Sequence, residues 1–462
     1  MSIAYNGRTH VERSGATHSI DQTFARGLCH SAAPRTRFGR DALARPWHGH
    51  VEDLVLAACL ADQCLDSQCE GSRAPWMYSL FKGTPAYPRF VHAIVAALPH
   101  SLRDSDGDHL RTLAGLMARD GDAQAADALR SFVWSQDFSA SGIVGAAELT
   151  ALDGMPAVVE MARRLGTVIQ QDPEASVHLL GNLIDDSLSF ETVVAELKWV
   201  AAGNAAVAAY IANKDNGDAI YARWDYSHSA RQAGAWKRHQ RFMDRNPVDT
   251  ILAAASCKSS HHDQFQKFGS LACQEDLERV LERLRIESDP DACEKLLVVF
   301  YRAELTHLDD RICELASHSA PGVRAAAAMV MRRLADPRVR ELARRRVGDA
   351  AFSSKSAWDL ELFDLNYGPG DETLILAALD RQSVDGIEAY GLAYYAVQLC
   401  TEARSPALAG VALWVYHTCP CTICRRLAVE MLLEWDCLPA HIAAECRYDA
   451  SDQLRALMHA RS

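Results

Sequence analysis

The sequence predicts an all-α protein of stacked antiparallel helix pairs, and three observations carry that expectation. From His50 onward apolar residues recur at helical spacing almost everywhere. No stretch of strict apolar–polar alternation lies between hairpin turns; the best turn dipeptide, Asn216-Gly217, has flanks that do not alternate. Glycine (26) and proline (16) are sparse among 462 residues, which weighs against a turn-rich β-protein.

Taken in order, residues 1–46 read as a poorly structured N-terminal arm. The first 45 residues hold seven Arg and three acids and no apolar core segment. The Arg bias suits a transit peptide, but Glu12, Asp21 and Asp41 count against one. Residues 47–245 read as an irregular helical region. Val51, Leu54, Val55, Ala58 and Cys59 form one stripe of a 3.6-residue period, and Phe90, Ile94, Val95 and Leu98 form another. So do Leu110, Leu113, Ala114 and Met117, while the section from Asp215 to Arg245 is polar and aromatic. Residues 246–462 read as a more regular array, with helical runs over Leu277–Leu284, Leu296–Leu305, Leu374–Leu379 and Val411–Tyr416.

Prolines punctuate this pattern where helices are expected to start, at Pro156, Pro173, Pro247, Pro290, Pro321, Pro337, Pro406 and Pro439. Proline loses nothing at the first helical position, whose N–H has no intrahelical partner. Several follow a capping residue, as in Asp172-Pro173, Asn246-Pro247, Asp289-Pro290, Asp336-Pro337 and Ser405-Pro406. The expected helices are short, roughly 10–16 residues, with tight connections.

Composition narrows the function classes. With 60 acidic against 48 basic residues the net charge is −12, so the chain as a whole is not built to lie on nucleic acid or anionic lipid. No apolar run reaches the ~18 uninterrupted residues of a membrane span. The 14 cysteines are scattered through apolar runs, as buried free thiols are, which with the absence of a signal peptide points to the cytoplasm.

The C-terminal third resembles HEAT-type repeat proteins. The resemblance rests on Pro321-Gly322-Val323-Arg324, with Ala327 and Leu334 at the expected offsets before Asp336-Pro337-Arg338-Val339-Arg340. Cys424-Arg425 repeats it with Ala428 and Leu432, and Leu454-Arg455 follows 30 residues later. Arg324 and Arg425 are 101 residues apart, about three repeats of ~34, and the residues between them show the motif less clearly, notably Trp358–Asp371. The resemblance implies a curved α-solenoid and a scaffold, not an activity.

Two stretches are candidate partner-binding sites. From Val323 to Arg346 there are eight Arg against Asp336 and Glu341, and Arg324, Arg332, Arg333, Arg338, Arg340, Arg344 and Arg345 are the named candidates. They suit either a patch for phosphate, nucleic acid or an acidic protein surface, or pairing with acids of the next repeat. From Tyr221 to Arg245, Trp224 and Trp236 are interleaved with Arg231, Lys237, Arg238 and Arg241, which suits either base stacking with phosphate pairing or packing of an aromatic helix face.

Cys421-x-x-Cys424 has metal-ligand spacing, with His417 as a third group, but a clean fourth ligand is missing, so no metal is assigned and the pair stays a weak candidate for zinc. At a helix N-terminus it could also be redox-active; its bland reading is an apolar motif position and a cap. His48-Gly49-His50 and His261-His262-Asp263 lie at helix boundaries, and Asp104–Asp108 fails the calcium-loop count. Phosphate-loop, dinucleotide, zincin and nucleophile-elbow signatures are all missing, and no cofactor is implied. The first reading is a non-enzymatic scaffold for another macromolecule, a protein. The alternative is a helical-repeat nucleic-acid binder, including one that modifies nucleic acid.

Overall fold

A computed structural model describes residues 49–460 except 63, 66–69, 102–105, 139–142, 174, 176–179, 181–182, 184–187, 214–237, 304 and 384–385. The 1–46 arm, Asn216-Gly217, Trp224, Arg231, Trp236 and Lys237 therefore lie outside the described residues. Those described form helices and connections only, with no strand among them. The expected fold class is the observed one.

The N-terminal helices are α1 (Gly49–Leu60), α2 (Ala74–Phe81), α3 (Tyr87–Ala97), α4 (Asp106–Arg119), α5 (Ala123–Trp134), α6 (Ala146–Asp153), α7 (Met155–Gln171), α8 (Phe190–Ala201) and α9 (Ala205–Ala212). They enclose one buried cluster running from Leu54 to Tyr210. Inside it Phe81 stacks on Phe90 at 4.4 Å, and α7 lies hard against α9. Gly166 makes that crossing possible: a Cβ there would sit 1.7 Å from the Ala206 carbonyl oxygen.

After the helical residues 238–245 come α10 (Val248–Ala255), α11 (His262–Gly269), α12 (Gln274–Ile286), α13 (Pro290–Val299), α14 (Asp310–Leu315), α15 (Pro321–Met331) and α16 (Pro337–Gly348). A 3-10 segment (Ser354–Phe363) leads to α17 (Asp371–Asp380), α18 (Gly386–Ala403), α19 (Ala409–Thr418), α20 (Thr422–Glu434), α21 (Ala440–Cys446) and α22 (Asp452–His459). One row runs α11, α13, α15, the 3-10 segment, α18, α20, each packed on the next; α16, α17 and α19 form a second row beside it. Packing between helices one or two apart is what a stack of helix pairs produces. One buried cluster spans Val248 to Leu432, and a smaller one from Tyr416 to Met458 closes the end. Each large apolar side chain buried here, such as Phe265, Phe268, Phe300 or Phe363, contributes about 1.5–3 kcal/mol.

The caps show where proline punctuation works and where it does not. Asp289 and Asp336 accept the amides of Ala292 (2.9 Å) and Arg338 (2.8 Å), each followed by proline in the first turn. Pro321 likewise opens α15, and Pro156 lies in the first turn of α7. Pro247 and Pro439 stand one residue earlier, as N-caps. Asp172-Pro173 is different: α7 runs through Gln171 and Asp172 is its C-cap, so this proline stops a helix. Pro406 opens only a short 3-10 turn before α19. The segment where the repeat motif fades is the 3-10 stretch, whose backbone kinks at Ser356.

Candidate functional site

The arginine-rich stretch lies on α15, α16 and their connection, and its guanidinium groups are largely engaged within the protein. Arg332 pairs with Glu361. Arg333 donates to the carbonyls of Tyr301 (2.6 Å) and Ala303 (3.2 Å). Arg338 bonds Asp336 (2.8 Å), Asp310 (2.7 Å) and the Leu308 carbonyl (3.0 Å). Arg340 and Arg344 share the fully buried carboxylate of Asp371, which also accepts the Gly368 amide at 2.9 Å. Arg346 pairs with Asp359 at 2.7 Å and donates to the Ala316 carbonyl. Of the seven candidates only Arg345 is exposed without a partner.

These bonds share a period. Arg333 to Ala303, Arg338 to Leu308, Arg346 to Ala316 and Gln382 to Phe352 each span 30 residues, Arg340 to Asp371 spans 31, and Asn366 to Leu334 spans 32. In most of them a cationic or amide donor satisfies a backbone carbonyl in or beside a connection about 30 residues earlier, and Arg340 instead reaches forward to a carboxylate. The motif arginines do a second job. Arg324 donates to the carbonyls of His318 and Ser319, Arg425 to those of Cys419 and Pro420, and Arg455 to that of Asp449. All three reach back five or six residues to tie down the loop that precedes their own helix. Arg425 goes furthest, forming a buried ion pair with Asp449 at 3.1 Å.

Of the aromatic and basic candidates, Arg238 and Arg241 are exposed on the helical residues 238–245. Phe242 between them and the next turn packs against the core with Lys267 over its ring at 4.5 Å. His261 caps α11 and His262 faces Glu294 at 3.6 Å. Cys421 is the N-cap of α20 and Cys424 is buried one turn later. Among the described residues no group of three or more His, Cys, Asp or Glu is arranged to hold a metal ion. No described helix is long and apolar enough to cross a membrane.

A surface that the sequence reading passed over stands on α18. Ile387, Tyr390 and Tyr394 recur at i, i+3 and i+7 and share one face, opposite the buried stripe of Leu392, Ala396 and Leu399. Ile387 is 54% and Tyr394 40% exposed. The ring centroids of Tyr390 and Tyr394 are 6.0 Å apart, and Tyr395 meets Tyr394 edge-on at 5.2 Å. Beside it lies a charged group: burial pushes the Asp364 carboxyl up to about 7, and neighbouring Glu361 pushes it the same way while Arg332 opposes. The signal was present in the sequence, because α18 carries apolar residues around more than the width one core face requires.

The two ends of the described chain also meet. Glu70 accepts the amide and hydroxyl of Thr422 at 2.7 and 2.8 Å, Arg73 donates to the Pro420 carbonyl at 3.1 Å, and Trp76 Nε1 donates to the Tyr448 carbonyl at 3.2 Å. A polar cleft of about 470 Å³ opens beside these contacts, lined by Trp76, Ile423, Arg426 and Asp452 among others. No protein-family model, no curated protein and no solved structure matches the chain.

Proposed function

We propose that this chain is a non-enzymatic HEAT-type helical-repeat scaffold of the cytoplasm that docks another protein on the exposed face of α18. The observation that carries the reading is the Ile387–Tyr390–Tyr394 ridge. Tyrosine with a neighbouring aliphatic side chain supplies large contact area at low entropic cost, and such anchors dominate protein interfaces. The solenoid part of the reading is supported by the 30-residue period of the inter-helix bonds and by the shared behaviour of Arg324, Arg425 and Arg455. The cytoplasmic part is supported by the placement of cysteines as small buried hydrophobes, as at Cys59, Cys293, Cys400 and Cys446.

The nucleic-acid alternative draws less support. Arg324, Arg332, Arg333, Arg338, Arg340 and Arg344 already hold carboxylates or carbonyls, so little of their donor capacity is left for phosphates. The test is a comparison of variants. Ile387→Ala/Tyr394→Ala should weaken binding of a purified captured protein at least about tenfold, the size expected for losing two anchors. Arg345→Ala should leave it unchanged. Equal binding by the double variant and the wild type overturns the proposal.

A further inference from the structure

Three buried thiols gather where residues 70–76 meet the start of α20. Cys421 caps α20, Cys424 lies one turn in, and the Arg425 amide donates to the Cys421 carbonyl at 3.2 Å. Residues three apart across a first helical turn have Cα atoms about 5 Å apart, within the roughly 4.4–6.8 Å that a disulfide spans. Cys419, Cys421 and Cys424 are all buried within this one stretch of six residues. The neighbouring Cys424 thiol and the amides of Cys424 and Ile423 draw the Cys421 thiol down against its burial, while Cys424, beside Cys419 and Cys421 and buried, is pushed up. One sulfur is thus prepared as the nucleophile and its neighbour as the resolving thiol.

Glu70 bears directly on this pair. The Thr422 amide is the first N–H of α20, and the next two amides, of Ile423 and Cys424, are those that favour an anion at the Cys421 sulfur. Glu70 accepts the Thr422 amide at 2.7 Å, beside those two, and its negative charge opposes a thiolate on Cys421. Arg73 pins the intervening Pro420 carbonyl from the same segment, and Cys421 and Cys424 are left only 5% and 3% exposed.

We propose that Cys421 and Cys424 are a hydroperoxide-sensitive dithiol that closes to a disulfide, and that Glu70, reaching over from residues 70–76, restrains it. The Cys421 thiolate attacks one peroxide oxygen and the O–O bond breaks. The departing oxygen takes a proton and leaves as an alcohol, or as water from hydrogen peroxide, and Cys421 becomes a sulfenic acid. The Cys424 sulfur then attacks the Cys421 sulfur, the S–S bond forms, and hydroxide leaves as water with the Cys424 proton. The two thiols give up two electrons and the peroxide accepts them. Reduction by a cellular dithiol reverses the step by exchange.

The experiment treats the reduced full-length protein with hydrogen peroxide and maps peptides without reduction by mass spectrometry. A Cys421–Cys424 cross-link is expected. In Cys424→Ser it should vanish and Cys421 sulfenic acid should accumulate. Glu70→Gln should raise the rate of Cys421 alkylation about three- to tenfold and shift its pH profile downward, since one opposing charge is gone. Absence of the Cys421–Cys424 link in the wild type, or oxidation confined to Cys419 or to the exposed Cys257, Cys273 and Cys437, overturns the dithiol. An unchanged alkylation rate in Glu70→Gln overturns the restraint. Both substitutions conserve size, and the wild-type cross-link needs no variant.

Discussion

The helices before residue 213 and those after residue 247 solve the same packing problem by different means. The N-terminal set is held by shape: aromatic stacking of Phe81 on Phe90, the backbone-to-backbone crossing of α7 and α9 at Gly166, and Arg130 chelating Asp153 across neighbouring helices. The C-terminal set adds a recurring polar bond, a donor reaching 30 residues back to a backbone carbonyl, at Arg333, Arg338, Arg346 and Gln382. What the difference teaches is that a cluster of like charges can be an internal fastening. An acidic protein with eight arginines in 24 residues looks prepared for an anionic partner until all but Arg345 are followed to their acceptors.

The sharpest way to break the comparison is to remove a carboxylate from the polar set. Asp449→Ala leaves the guanidinium of Arg425 buried without its charge partner and should cost about 3–5 kcal/mol in urea unfolding. A loss under 1 kcal/mol, roughly the value of an exposed pair, would show that the pair is not what holds the end of the array. Next come two glycines that ask the same question of both regions. Gly166→Ala places a methyl 1.7 Å from the Ala206 oxygen, and Gly269→Ala places one 1.7 Å from the Val299 oxygen. Each should cost about 3 kcal/mol or slightly more, the upper range for overpacking. Hydrogen exchange should show the loosening centred on α7 and α9 for the first and on α11 and α13 for the second. A uniform loosening in both would mean the regions unfold as one unit.

A pH test addresses the charged group beside α18. Because burial raises the Asp364 carboxyl from 3.8 to about 7, its contribution is complete below the unfolded value and is lost as pH rises from there to about 7. Stability should therefore fall by a few kcal/mol between about pH 4 and pH 7 and level off above, to the order of magnitude such a shift allows. Asp364→Asn should flatten that slope, and a slope identical to the wild type's would contradict the assignment. The smallest effect is expected from Arg333→Ala, which removes one fastening to Tyr301 and Ala303 and should cost about 1 kcal/mol in the same urea assay.

The all-helical class was legible because periodicity is a local property, and so were the capped starts at Asp289-Pro290 and Asp336-Pro337. Val323, Ala327 and Leu334 are buried as their phasing required, and so are Cys424, Ala428 and Leu432. What was not legible is whatever depends on a distant partner. Nothing near Asp172-Pro173 says that the helix before it continues to the proline. The acceptors of Arg333 and Arg346 lie about 30 residues away, and Glu70 meets Thr422 across 352 residues. The ridge on α18 was not legible because nothing in the local pattern separates the exposed Ile387 and Tyr394 from Tyr390, which is partly buried against the core.

Site-specific photo-crosslinking in native lysate tests the central claim most directly, with the reactive side chain placed at position 394 in one preparation and at position 345 in another. The account predicts a discrete protein adduct from position 394 that Ile387→Ala abolishes, and no nucleic-acid adduct from position 345. Nucleic acid captured at position 345, with no protein captured at position 394, would contradict it.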